Sequence, residues 1–270
     1  MKLTIRGGRL IDPSQQLDQV TDIHIDGGRI LALGQAPAGF TPERTLHAEG
    51  QIVAPGFIDI GAHLREPGPS YKGNLRSETK AALAGGYTTI CCRPDTSPCI
   101  DSSAVMQQIM DKVELIGQAK VRPIGAMTKN LEGTHLSNMA GLQHSGCVAV
   151  TNMRQAIDNT LILRRCFEYA STFDLRVVFY PEDSWLRGEG VAHEGALASR
   201  LGLAGIPAAA EAIGLSRVLH LVEVTGVRIH FSALSTAQAV AMIAEAQAKG
   251  LPVTADTTMA HLTYTEAAID

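Results

Sequence analysis

Aromatic residues make up only 4% of this 270-residue sequence, with a single tryptophan, so aliphatic packing rather than ring stacking must carry the core. No excess of either charge is present: 23 Lys and Arg stand against 27 Asp and Glu, a formal net charge of -4. No basic cluster of the kind that tracks a phosphate backbone occurs, which argues against nucleic acid as a partner. Long apolar runs are missing too. The uncharged stretch Ala81–Cys92 has 12 residues, short of the roughly 20 needed to cross a bilayer, so no membrane association is expected. Met1 to Asp12 carries an arginine within an alternating pattern and lacks the apolar run and cleavage site of a signal peptide. A cytoplasmic location is the expectation. Five cysteines (Cys91, Cys92, Cys99, Cys147, Cys166) are odd in number and two are adjacent, a poor basis for a disulfide framework. They are expected to be reduced and mostly buried.

What is present is a hydrophobic fraction of 45% without low-complexity tracts, enough for one large or two ordinary globular domains. Up to about residue 54 the signals are short alternating stretches (Leu3–Ile5, Asp22–Ile25, Arg29–Leu33, Gln51–Val53), with Asp26-Gly27-Gly28 as a hairpin turn. This predicts a small antiparallel β unit over residues 1–54. After Pro55 short apolar runs alternate with helical patterns. Strands are predicted at Phe57–Gly61, Tyr87–Cys92, Val121–Met127, Cys147–Thr151, Leu175–Tyr180, Arg228–Ala233 and Leu251–Ala255, and helices at Ser77–Ala84, Ser103–Gly117, Thr160–Ala170 and Thr236–Lys249. Ser235 is the expected N-cap of the last helix, with Gly250 past its end. Repeated βα units imply a parallel sheet covered by helices. The strands number one fewer than the eight that close a (β/α)8 barrel, so residues 55–270 read as a barrel lacking its last strand. An open doubly wound sheet is the competing architecture.

The run Pro55-Gly56-Phe57-Ile58-Asp59-Ile60-Gly61-Ala62-His63-Leu64-Arg65-Glu66-Pro67-Gly68 carries the chemical information. It resembles the first-strand signature D-x-H-x-H-x-R of dihydroorotases in the amidohydrolase superfamily, where histidines at i and i+2 point to one side of a strand and bind metal. Resemblance extends over essentially the whole chain: Gly85-Gly86-Tyr87-Thr88-Thr89, Gly202-Leu203-Ala204-Gly205-Ile206-Pro207 with Ala210-Glu211, Glu223-Val224-Thr225-Gly226, Ser235-Thr236 and Gly250-Leu251-Pro252-Val253-Thr254-Ala255 all fit that family. The fold implied is a TIM-type α/β barrel with a small N-terminal β-sandwich portion. The activity implied is hydrolysis of a cyclic amide by hydroxide on a zinc pair.

The ligand positions implied by the resemblance are mostly lost. Gly61 replaces the first histidine and only His63 remains. The strand 4 run S-D-D-G reads Thr151-Asn152-Met153-Arg154, which puts Asn152 or Met153 where a bridging carboxylate would be. The strand 5 histidine falls on Tyr180 and the strand 6 histidine on Ala233. His230, three residues before Ala233, is expected to face the opposite side of its strand. A further aspartate ligand falls beyond Asp270, so the sequence reads as an incomplete record. One histidine cannot hold a zinc pair, and no metal cofactor is expected. On the substrate side, Arg65 matches the arginine that grips a carboxylate, while M-P-N-T reads Arg93-Pro94-Asp95-Thr96 and puts Asp95 where an asparagine assists. Asp95 is expected to pair with Arg65 or Arg93, Asp59 to orient backbone or a neighbouring side chain, and Glu182 and Asp183 to cap the next helix.

These losses predict a pseudoenzyme without catalytic residues. The resemblance implies a noncatalytic dihydroorotase-like subunit that supports the assembly or activity of aspartate carbamoyltransferase in pyrimidine biosynthesis, with that enzyme's catalytic chain as partner and a closed, symmetric assembly or homo-oligomer. One alternative is a metal-dependent cyclic amidohydrolase with an altered zinc site built from Asp59, His63 and Asp95. Another is a module binding an anionic metabolite through Arg65 and Arg93.

Overall fold

The structure is a computed structural model describing residues 1–269. The chain divides into two compact units, Met1–Phe57 and a second from Ile58 onward. The first contains β1 (Lys2–Asp12), β2 (Leu17–Asp26), β3 (Arg29–Leu33), β4 (Arg44–His47) and β5 (Ile52–Val53). β1 and β2 run antiparallel, and β2 turns into β3 through Gly27 and Gly28, both at positive φ (56° and 78°), as a two-residue hairpin loop demands. β4 and β5, however, pair with β1 in parallel. The five-stranded sheet is therefore mixed, not antiparallel: alternation reports which face a residue takes and says nothing about strand direction. Leu10, Ile23 and Ala48 are buried in this unit with Thr4 and His24, whose side chains hydrogen-bond at 3.0 Å.

The second unit contains β6 (Phe57–Ala62), β7 (Tyr87–Cys92), β8 (Lys120–Ala126), β9 (Ala149–Thr151), β10 (Arg176–Phe179), β11 (Ala192–His193), β12 (Gly205–Ile206), β13 (Ile229–Phe231) and β14 (Val253–Ala255). Its helices are α1 (Leu75–Ala84), α2 (Ser103–Ile116), α3 (Met139–His144), α4 (Thr160–Thr172), α5 (Ser184–Arg187), α6 (Ala196–Leu201), α7 (Ala208–Thr225), α8 (Ala237–Ala248) and α9 (Met259–Thr263). Seven strands form one sheet in the order β14-β13-β10-β9-β8-β7-β6, and the ladders from β7 to β14 are all parallel. This is the (β/α) barrel framework, the architecture of an incomplete TIM barrel. The small β11–β12 ladder and helix α7 lie in the stretch between β10 and β13. Among the described residues no helix is long and apolar enough to cross a membrane.

Strand alternation sorts the core. Ile90, Val121, Val150, Val177, Ile229, Phe231 and Val253 pack outward against the helices in the main core, where Leu163, Cys166 and Phe167 of α4 and Leu215 and Val218 of α7 are fully buried. Cys91, Ile124, Ala149 and Val178 form a separate cluster on the inner face. All five cysteines are free thiols. Burial pushes Cys92 and Cys166 up to about 12 and Cys147 to about 11, and Asp95 and Cys91 add to the effect at Cys92.

Helix α7 also fixes the chain after β10. Gly214 lies so close to that segment that a Cβ there would stand 2.8 Å from Glu182 N and 2.9 Å from Glu182 C. Asp183 N donates to Ala210 O at 2.9 Å one turn earlier. Gly214→Ala is therefore expected to lower stability by about 1–3 kcal/mol, because backbone rather than a movable side chain must yield. Urea denaturation of the two proteins checks this.

Candidate functional site

In a parallel (β/α) sheet, side chains that follow the carboxyl ends of the strands converge on one face. Here His63 follows β6, Arg93 follows β7, Asn152 follows β9, Tyr180 follows β10 and Asp256 follows β14.

Arg93 organises one side of this face. A Cβ on Gly61 would lie 2.6 Å from one terminal nitrogen of Arg93 and 2.8 Å from its Nε, so the guanidinium occupies the space that a side chain at 61 would need. Arg93 donates to His63 Nε2 at 3.1 Å, and His63 Nδ1 lies 2.8 Å from Asp95 Oδ2. A guanidinium has only donors, so Nε2 accepts, while Nδ1 stands close to the Asp95 carboxylate without an aligned hydrogen bond. Burial pushes the Asp95 carboxyl up, but His63, a backbone hydrogen bond and Arg93 outweigh it, and the net position is below the usual carboxylate range. Asp95 thus pairs with His63; the expected ion pair with Arg65 or Arg93 is corrected, because the carboxylate meets the imidazole first. Arg65, half-buried at φ 63°, forms no ion pair with a described residue. Asp59 Oδ1 accepts from Gly61 N at 2.8 Å, the expected backbone role.

After β9 the chain turns at Met153 (φ 57°), which separates two neighbouring side chains. Asn152 is 2% exposed and points into the loop that follows β8. Its Oδ1 accepts from Thr128 Oγ1 at 2.6 Å, and its Nδ2 donates to Gln155 O at 2.9 Å and Leu131 O at 3.2 Å. Met153 instead lines the inner cavity. Arg154 lies over the ring of Tyr180, 4.0 Å from its centroid, a cation–π geometry. Burial raises the Tyr180 hydroxyl above its usual value, with Arg154 opposing that shift. Asp183 accepts from Leu186 N at 2.9 Å and caps α5, whereas Glu182, expected to share that role, instead faces Arg187 Nε at 3.7 Å.

On the far side, Ala233 adopts φ 60°. His230 pairs across the sheet with Val178 and Thr254, both inner-face positions, and its Nε2 lies 3.0 Å from Asp256 Oδ2. The expectation that His230 faces away from the site is thus corrected: the left-handed turn at Ala233 breaks the alternation on which it rested. Asp256 also accepts from Ala233 N, so His230 is committed to a structural pair. Glu211 of α7 accepts from the backbone and hydroxyls of Ser235 and Thr236 at 2.7–3.2 Å. Thr236, not the expected Ser235, caps α8: its hydroxyl donates to Glu211 and accepts from Ala239 N.

Between these groups lies a cavity of about 260 Å³ lined by Arg93, Thr151, Met153, Arg154, Tyr180, Ser232, Ala233 and Thr258, with Ile60, Ile124 and Val178 as apolar wall. The donors do not suit a zinc ion. Gly61 and Ala233 offer no ligand atom, Met153 only a thioether, and Asn152 is fully hydrogen-bonded elsewhere. His63 Nε2 is taken by Arg93, and no group of three or more His, Cys, Asp or Glu converges among the described residues. Sequence reasoning overlooked Arg154 and the Arg93–Gly61 complementarity. The replacement of Met by Arg in the M-P-N-T run, next to the loss of the histidine at 61, was the available signal for the second.

A parallel (β/α) framework with its polar groups gathered after the strand ends is that of a TIM-type barrel. The chain belongs to the dihydro-orotase-like family, whose model matches residues 50–239. It is 52% identical over 269 residues to a dihydroorotase-like protein of Pseudomonas putida and 50% identical to one of Pseudomonas aeruginosa. It is also 40% identical to a dihydroorotase of Trichlorobacter lovleyi. All of this chain is covered in each case, and it spans 63%, 64% and 63% of those relatives. Among solved structures, L-hydantoinase from Arthrobacter aurescens superposes with a TM-score of 0.80 at 20% identity, over 98% of this chain and 60% of that one. The last comparison concerns fold alone.

Proposed function

We propose that the chain is a noncatalytic dihydroorotase-like subunit that supports the assembly or activity of aspartate carbamoyltransferase in pyrimidine biosynthesis. The observation that carries the noncatalytic reading is the Arg93 guanidinium: it takes the space beside Gly61 and hydrogen-bonds His63, the one histidine left at the metal positions. A permanent cation in that place repels a divalent metal and occupies the nitrogen that would bind it. A scaffold needs only a folded surface, whereas a metal-dependent hydrolase loses its rate with its ligands. The partner is taken from the family resemblance, and the pathway with it.

Coexpression with the aspartate carbamoyltransferase catalytic chain of the same organism, followed by size-exclusion chromatography, tests the proposal. One peak of defined, large mass is expected, and it should persist when His63 or Arg65 is replaced by alanine. Separate elution at micromolar concentration would sink the proposal. Dihydroorotate hydrolysis that depends on His63 would instead establish a hydrolase with an altered metal site.

A further inference from the structure

The inner face of the seven-stranded sheet changes character toward the amino-terminal ends of its strands. Arg122 of β8 pairs with Cys91 of β7, and Arg176 of β10 pairs with Ala149 of β9. Cys91 and Ala149 belong to the inner cluster, and partners in a ladder share a face, so both arginines project inward. Lys120, two residues before Arg122 on the same strand, takes that face as well. Burial raises the Cys91 thiol, with Asp59 adding to the shift and Arg122 opposing it, which puts the Arg122 charge beside the cluster. Closed barrels fill this face with bulky branched side chains. Here Lys120, Arg122 and Arg176 stand on it, all exposed, and their side chains make no ion pair or hydrogen bond with a described residue. Nearby charges are already matched: Arg228, beside Arg176 across the sheet, meets Asp174 at 2.8 Å, and Asp59 accepts from Gly61 N.

We propose that this amino-terminal end of the inner face docks an extended, acidic segment of a partner protein. Charge complementarity selects the acid: unpaired cations beside an apolar cluster can be covered at low cost only by groups that neutralise them, and the guanidinium fork matches a carboxylate. Spacing selects the extended form. Lys120 and Arg122 are about 6.6 Å apart along β8, the i to i+2 repeat of an extended chain, so Asp or Glu at alternate positions of such a segment meets one cation each. Arg176 lies two strands away, about 10 Å across the sheet, within reach of a further acid. The apolar cluster of Cys91, Ile124, Ala149 and Val178 next to them lowers the local dielectric and strengthens each contact. His63, Arg93 and Tyr180 follow the opposite ends of the strands, so this surface is separate from the cavity. It fixes the chemistry of the segment and stands whichever protein carries it.

The probe is a dye-labelled peptide of alternating Glu and Thr, titrated against the purified chain by fluorescence anisotropy beside a peptide of alternating Gln and Thr, with tripolyphosphate as competitor. Saturable binding of the acidic peptide, weakening as salt rises, is expected, and no binding of the neutral one. Arg122→Gln and Arg176→Gln should each weaken it roughly two- to fivefold, the worth of one exposed ion pair, and the double variant Arg122→Glu with Arg176→Glu should abolish it. These variants should keep the parent Tm, since the cations have no partner to lose, and circular dichroism checks this. Lys72→Gln, on the exposed loop after β6, should leave binding unchanged. The proposal is overturned if the two peptides bind alike, if the arginine variants bind as the parent chain does, or if Lys72→Gln loses as much as they do. Displacement of the peptide by tripolyphosphate at an equal or lower concentration would also overturn it, because the surface would then serve any polyanion. Chromatography with aspartate carbamoyltransferase is a separate measurement, so failure of either proposal leaves the other standing.

Discussion

Asn152→Asp, a change of one atom toward the acidic residue that active relatives are expected to carry in this region, should destabilise the chain by about 3–5 kcal/mol at pH 7, the range for an uncompensated buried charge. Asn152 is 2% exposed, and its amide nitrogen donates to the carbonyls of Leu131 and Gln155. An oxygen in that place faces two acceptors, and only the contact from Thr128 survives. The variant carboxyl therefore has a folded pKa above its unfolded value. A group shifted that way is least harmful below the unfolded pKa, and its cost grows as pH rises through the folded pKa. Urea denaturation of variant and parent should show a gap that narrows from pH 7 to pH 5. A gap under 1 kcal/mol at pH 7 would mean that the loop holding Asn152 opens to water.

Phe167→Ala should cost about 3–5 kcal/mol, the range for deleting a buried ring. Phe167 is fully buried on α4 and meets Phe179 of β10 edge to face, with centroids 6.1 Å apart and planes at 81°. The consequence reaches the cavity, because Phe179 immediately precedes Tyr180. Thermal melting should fall by many degrees, and the chain should bind hydrophobic dyes before its main transition. A drop below about 1 kcal/mol would mean that neighbouring side chains collapse into the space.

How far the sequence could be read follows from how local each signal is. The strand Tyr87–Cys92 matches its predicted bounds residue for residue, because Gly85-Gly86 precedes it and Arg93-Pro94 follows. Helix α1 begins at Leu75, two residues before the predicted Ser77, because Asn74 and Ser77 form a reciprocal capping box. The parallel pairing of β4 with β1 was not legible, since direction depends on the path of the connecting chain. At the site, the residues after each strand end could be placed from the family pattern, yet their contacts could not. His63 was visible as a lone histidine; that Arg93 and Asp95 bracket it is a matter of three-dimensional reach. The same applies to His230, whose facing depends on one left-handed residue at Ala233.

The sealed thiols make this protein its own reporter of motion. With Cys92 and Cys166 pushed up to about 12 and both fully buried, the reactive thiolate is about one part in 10⁵ at pH 7. An alkylating reagent can therefore reach these sulfurs only when the surrounding structure opens. Cys92 sits in β7 beside the residue that guards His63, and Cys166 lies in α4 against the sheet. Because both sulfurs lie in one core, comparing their labelling rates tells whether the strand that borders the cavity and the helix that covers the sheet open together or apart.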